Sequence, residues 1–119
     1  MNGGDTIKAY RYRQNWGKYR MAAGSMIRFY LPRSELTDRE ELSPASAEAW
    51  DACDRAFREL SENEKQIVRA YYSETCVRNR TPDPLQRVAE SFEMDVSSVR
   101  RVVDRIIRAV VIYRGLADE

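Results

Sequence analysis

The stretch RVAESFEMDVSSVRRVV, Arg87–Val103, decides how this chain reads. It sets two amphipathic runs on either side of a polar four-residue kink. Apolar residues recur at three and four positions rather than at two, so both runs are predicted to be helical. Two helices that cross over such a turn need particular residues at particular places. The first needs a small residue at the closest approach, and Ala89 stands there between Val88 and Phe92. The turn needs an apolar plug, Met94, and the second helix needs inward aliphatic residues, Val99 and Val102. The residue after Phe92 often takes a left-handed backbone in such turns and is usually glycine. Glu93 in that place costs on the order of 1 kcal/mol. Asp95 stands where a helix cap belongs.

These offsets are those of a helix-turn-helix. With Val99 as origin and about 100° per residue, Val102, Val103, Ile106 and Val110 fall within about 60° of it. Ser97, Arg101 and Arg108 lie nearly opposite, Ser98 and Arg105 flank them, and Asp104 completes the outer arc. Hydroxyls and unpaired N–H groups at a helix N-terminus suit phosphate. An arginine can pair bidentately with guanine, which is worth about 1–3 kcal/mol of discrimination. The plainer reading is a solvated arginine face balanced by Asp104. The helix spacing is independent of the charges, however, and together they favour contact with double-stranded DNA.

Upstream, a first helix is expected from about Thr6 to Tyr30, with Tyr12, Trp16, Tyr19, Ala23, Met26 and Tyr30 on a heptad-like seam. Gly17 and Gly24 each cost about 1 kcal/mol relative to Ala, so this helix needs tertiary support or breaks there. Pro32 should end it, because the residue before a proline avoids the helical region. RSELTDREELSPAS reads as an acidic connector, with room for a short helical turn. A second helix, Ser46–Leu60, buries Trp50, Cys53, Phe57 and Leu60. Ser61 and Glu64 form a capping box that opens a third, with Ile67, Val68, Tyr71 and Tyr72 inward. After a polar loop, Asp83 and Pro84 supply the cap and first position of a fourth. A fifth helix buries Val99, Val103, Ile106, Val110 and Tyr113 and ends at Gly115. The expected fold is all-α: a basic aromatic helical arm and acidic connector over residues 1–45, then a helix-turn-helix bundle over 46–119.

The net charge of +1 conceals a strong asymmetry. Residues 1–33 carry seven Lys/Arg and one acid (+6), residues 34–66 carry four and ten (−6), and the remainder nine and eight (+1). Local patches, not the bulk value, therefore govern what the chain meets. The arm IKAYRYRQNWGKYR, residues 7–20, admits three readings: stacking on bases, a packing face, or an intramolecular partner for the acidic segment. Val96, Ile107 and Val111 widen the apolar stripe of the last helix. They are expected either to bury against the arm or to pair with a second subunit, giving a homodimer or higher oligomer.

Catalysis is not expected. The chain has no histidine, and its carboxylates fall on helix exteriors without convergent partners, so neither a cofactor nor a metal site is predicted. Cys53 reads as an inert core thiol, and Cys53 and Cys76 as reduced thiols of a cytoplasmic protein. The start lacks the apolar stretch of a signal peptide, and the longest apolar run, Ala109–Tyr113, is too short to cross a membrane.

LSENEKQIVRAYY together with LQRVAESFEMDVSSVRRVVDRIIRAV resembles region four of bacterial sigma factors and the sigma-like proteins of phages and prophages. The likeness covers about Phe57–Leu116. It implies that the last helix enters the major groove. Ser97, Ser98, Arg101 and Arg105 would then make the sequence-dependent contacts, while Arg78, Arg80, Arg100 and Arg108 would meet phosphates. Residues 1–56 are too few for the polymerase-binding domain of a true sigma factor. The arrangement looks more like the ArpU- and RinA-type phage transcription regulators, with the arm setting assembly or meeting RNA polymerase. Two other classes fit the same features: a small terminase-like packaging protein, and an interaction protein or inhibitor that mimics a sigma domain.

Overall fold

Among the residues described, the computed structural model holds five α-helices and no strand. They are α1 (Gly3–Arg33), α2 (Pro44–Arg58), α3 (Glu62–Thr75), α4 (Pro84–Ser91) and α5 (Val96–Tyr113), with a short 3₁₀ turn at Arg39–Glu41 in the connector. The structure describes residues 3–75 and 83–116, with side chains from Asn15 onward. The all-α expectation holds. The side chains of Tyr12 of the proposed seam and of Lys8, Arg11 and Arg13, and residues Cys76, Arg78 and Arg80, lie outside what is described.

α5 is the axis of the molecule, and each of the other four helices packs against it. Its apolar stripe explains this. Val99, Val102, Val103, Ile106, Ile107, Val110 and Val111 are all buried, an arc too wide for a single neighbour to cover. Ile107 and Val111 are therefore satisfied within the chain and are not left for a second subunit, while Val96 remains 37% exposed. Removing such aliphatic side chains from water stabilises the fold by roughly 1.5–3 kcal/mol each.

α1 runs unbroken through Gly17 and Gly24 and continues past the expected stop at Pro32 to Arg33. Tertiary packing overrides the local signal. Leu31, the residue Pro32 restricts, is buried. Tyr30 lies edge-on to Trp50 with ring centroids 4.9 Å apart, and its hydroxyl donates to Asp54 at 2.7 Å. The proline falls in the final turn, where its missing N–H removes one helical bond, and the Arg33 guanidinium donates to the Phe29 carbonyl at 3.0 Å. Ala23, Ile27, Tyr30 and Leu31 belong to the same core cluster as the buried residues of α2–α5. The described parts of segments 1–45 and 46–119 thus share one core.

Most ends follow their sequence signals. Ser61 and Glu64 form the reciprocal capping box, the Ser61 N–H donating to Glu64 Oε1 at 3.0 Å and the Glu64 N–H to Ser61 Oγ at 3.2 Å. Asp83 accepts from the Leu85 N–H at 2.8 Å, ahead of Pro84. α2 starts two residues before the expected Ser46, because Ser43 caps it and Pro44 opens it. It also ends at Arg58, although Leu60 is buried as expected.

Candidate nucleic-acid interface

Whatever α5 presents outward is set by how α4 ends. The chain turns over Phe92–Asp95, and the N–H groups of Glu93 and Met94 donate to the carbonyls of Glu90 and Ala89 at 3.3 and 2.9 Å. These are the paired bonds of a Schellman ending, which requires a left-handed residue between them. Glu93 takes that conformation, with φ +53°, and is the single described non-glycine residue with positive φ. The same pair of bonds closes α5, where Gly115 holds the left-handed position at φ +79°. Asp95 departs from expectation. It has the extended backbone of a cap, but its carboxylate accepts no capping hydrogen bond. The cap is made by the Asp95 carbonyl alone, which accepts from Ser98 at 3.0 Å and from Val99 at 3.2 Å.

The outer face of α5 divides into two halves. Near its N-terminus, Ser97, Arg100 and Arg101 are exposed and Ser98 is half-buried. Among the described residues, none of these four side chains forms a hydrogen bond or an ion pair. Further along, every charged group has a neighbour. The Arg105 guanidinium donates to Glu64 Oε2, so Arg105 is an ion-paired residue and not a free contact. Arg20 of α1 donates to Asp104 at 2.5 Å, and the Arg108 guanidinium lies 5.5 Å from the Trp16 ring. The Glu64 pair leaves Arg105 62% exposed. A pair at that exposure is worth about 0–1 kcal/mol and yields readily to a stronger anion.

Two neighbours of this face carry no signal in the local sequence pattern, Arg20 and Glu64. Arg20 cancels Asp104, the one acid on the outer arc of α5, and Glu64 holds Arg105 against α3. Their partners are 84 and 41 residues away, beyond any local pattern. The basic groups of α1 do not meet the acidic connector in the described residues. Arg20 pairs with Asp104, the Arg28 guanidinium lies 5.6 Å from the Tyr72 ring, and Arg33 lies 4.3 Å from the Phe29 ring. The connector is instead held by its own Arg39, which chelates Asp51 through two hydrogen bonds of 2.6 Å. That bonding keeps the Asp51 carboxyl below its usual range.

α5 is clamped at its far end as well. The Arg55 guanidinium of α2 lies 3.8 Å from the Tyr113 ring, the Tyr113 hydroxyl donates to Glu59, and Arg114 pairs with Glu48 at 3.2 Å. Tyr113, expected in the core, is half-buried because this polar clamp holds it at the surface. These contacts hold the middle and the C-terminal end of α5, and the unpaired side chains lie in its N-terminal half. Among the described residues there is no cluster of three or more metal-ligating side chains, and no helix is long and apolar enough to cross a membrane. Compared with protein-family models, curated proteins and solved structures, the chain matches none.

Proposed function

We propose that this chain is a sequence-specific DNA-binding transcription regulator of phage or prophage type, acting in the cytoplasm. In this reading α4 and α5 work as a sigma-like helix-turn-helix, with α5 entering the major groove. One observation carries it: α5 is buried along one face, while Ser97 and Arg101 project from the opposite face of its first turns, exposed and without partners, with Arg100 exposed beside the buried stripe. Ser97, Ser98 and Arg101 read base edges, and Arg100 meets a phosphate. Arg105 joins them on release from Glu64. Arg108, with Arg78 and Arg80, adds phosphate contacts. RNA polymerase is the proposed protein partner.

The test is selection from random duplex DNA followed by sequencing, at two salt concentrations. A recovered motif with a steep salt slope is expected. Arg101→Ala should relax preference at one position by about 1–3 kcal/mol. No retention at low salt would overturn the proposal.

A second reading, an interaction protein that mimics a sigma domain, draws on the exposed carboxylates of Glu93 and Asp95 beside the first turn of α5. They oppose a phosphate there. In that case charge reversal at Arg101 and Arg105 would leave function intact.

A further inference from the structure

A cleft of about 320 Å³ lies between the last turns of α1 and α3, lined by Arg28, Leu31, Pro32, Arg69, Tyr72 and Ser73. Its floor is apolar, since Leu31 and Tyr72 are both core residues. Its rim is cationic, and no acid lines it. Arg28 is held near the Tyr72 ring, and Arg69 lies 4.8 Å from the Phe57 ring while donating to the Leu31 carbonyl at 3.4 Å. These guanidiniums have aromatic and carbonyl partners but no carboxylate. An occupant suited to such a cleft joins one aliphatic side chain to a neighbouring carboxylate.

The chain displays that combination. Leu36 is 87% exposed, the most exposed large apolar side chain among the described residues, and it stands between Glu35 and Asp38. It is held rather than loose: the N–H groups of Leu36 and Thr37 both donate to the Arg33 carbonyl at 3.0 Å, and Ser34 Oγ donates to Leu31 at 3.2 Å. At that exposure Leu36 buries little of its side chain within the monomer. Its position suggests a role between copies, because Pro32 lines the cleft and Leu36 follows four residues later. Knob and cleft are thus neighbours along the chain, and a self-complementary two-fold interface needs both on one copy.

We propose that the partner on this face is a second copy of the chain, in a two-fold dimer. Leu36 of each copy enters the other's Arg28–Arg69 cleft, with Glu35 meeting those guanidiniums. This goes beyond the DNA-binding reading and does not depend on it. It also places self-association away from α5, whose Ile107 and Val111 are already buried.

Sedimentation equilibrium on the full chain from about 1 μM to about 500 μM tests it, since that range brackets a micromolar dissociation constant. A monomer–dimer equilibrium is expected. Leu36→Lys, which sets a cation against the Arg28–Arg69 rim, should raise the dissociation constant about tenfold or more, the scale for losing an interface anchor. Because Leu36 is in solvent in the monomer, its circular dichroism should match that of the parent. Glu35→Arg and Arg28→Glu should each weaken the dimer, and their combination in one chain should restore it. Parent chain that stays monomeric throughout, or Leu36→Lys that dimerises like the parent, overturns the proposal. The readout is mass, so its failure is distinct from any failure to bind DNA.

Discussion

Glu64 serves two helices at once: one carboxylate oxygen accepts the Ser61 backbone N–H at the start of α3, and the other accepts the Arg105 guanidinium of α5. A single side chain thus satisfies an otherwise unpaired amide and restrains an arginine on the outer face of α5.

Separating these roles gives a first expectation. Glu64→Gln keeps a capping acceptor but removes the charge, so stability should change little while Arg105 is released. Glu64→Ala removes both and should cost about 1 kcal/mol. Thermal denaturation reads the difference. If α5 binds DNA, Glu64→Gln should also bind more tightly, with a salt slope steeper by about one phosphate contact.

Glu93 and Gly115 hold equivalent places at the two Schellman endings. Glu93→Gly should raise stability by about 1 kcal/mol, because it relieves a left-handed side-chain residue. Gly115→Ala should lower stability by a similar amount, because it introduces one. Denaturant titration checks both. Equal stability of Glu93→Gly and the parent would mean that the turn carries no such strain.

The pair Arg20–Asp104 joins α1 to the outer arc of α5 with both side chains a little over a third exposed. Solvent screening limits its worth to about 0.5–1 kcal/mol. A double-mutant cycle with Arg20→Ala and Asp104→Ala should recover that coupling and should shrink at high salt. A coupling of zero would mean that α1 is held by its buried residues alone.

Burial pushes the Cys53 thiol up from its ordinary 9.0 to about 12. In a Cys76→Ser background, a thiol reagent at pH 8 should modify Cys53 only after denaturant is added. The pH dependence follows from the same shift. A raised folded-state value means the stabilisation is complete below about pH 9 and is lost as pH rises toward about 12. Burial also raises the phenols of Tyr30 and Tyr72, so the loss should steepen above their ordinary value of 10.0. Unfolding free energy measured at pH 8 and at pH 10.5 checks the sign.

Local patterns predicted the elements well where the signal and the structure it governs lie within a few residues. The Ser61–Glu64 box, the Asp83–Pro84 start, the left-handed Glu93 and the inward stripe of α5 are of this kind. Pro32 misled because its local preference competes with the burial of Leu31 and the anchoring of Tyr30, and burial outweighs that preference. Asp95 misled in a smaller way, since cap geometry does not oblige the carboxylate to bond.

By itself, then, the sequence determined that the chain is all-α, where most helices begin, and that one face of α5 is buried with Ser97 and Arg101 opposite. These are consequences of helical periodicity and of backbone groups that need partners within one turn. The tertiary structure alone decided which outward groups stay free. The helix packing brings Glu64 to Arg105, Arg20 to Asp104 and Trp16 to Arg108, and leaves Arg100 and Arg101 unpaired. It also consumes Ile107 and Val111 inside the chain and leaves Leu36 out. Neither outcome is written in spacing, because each depends on how helices far apart in sequence lie across one another.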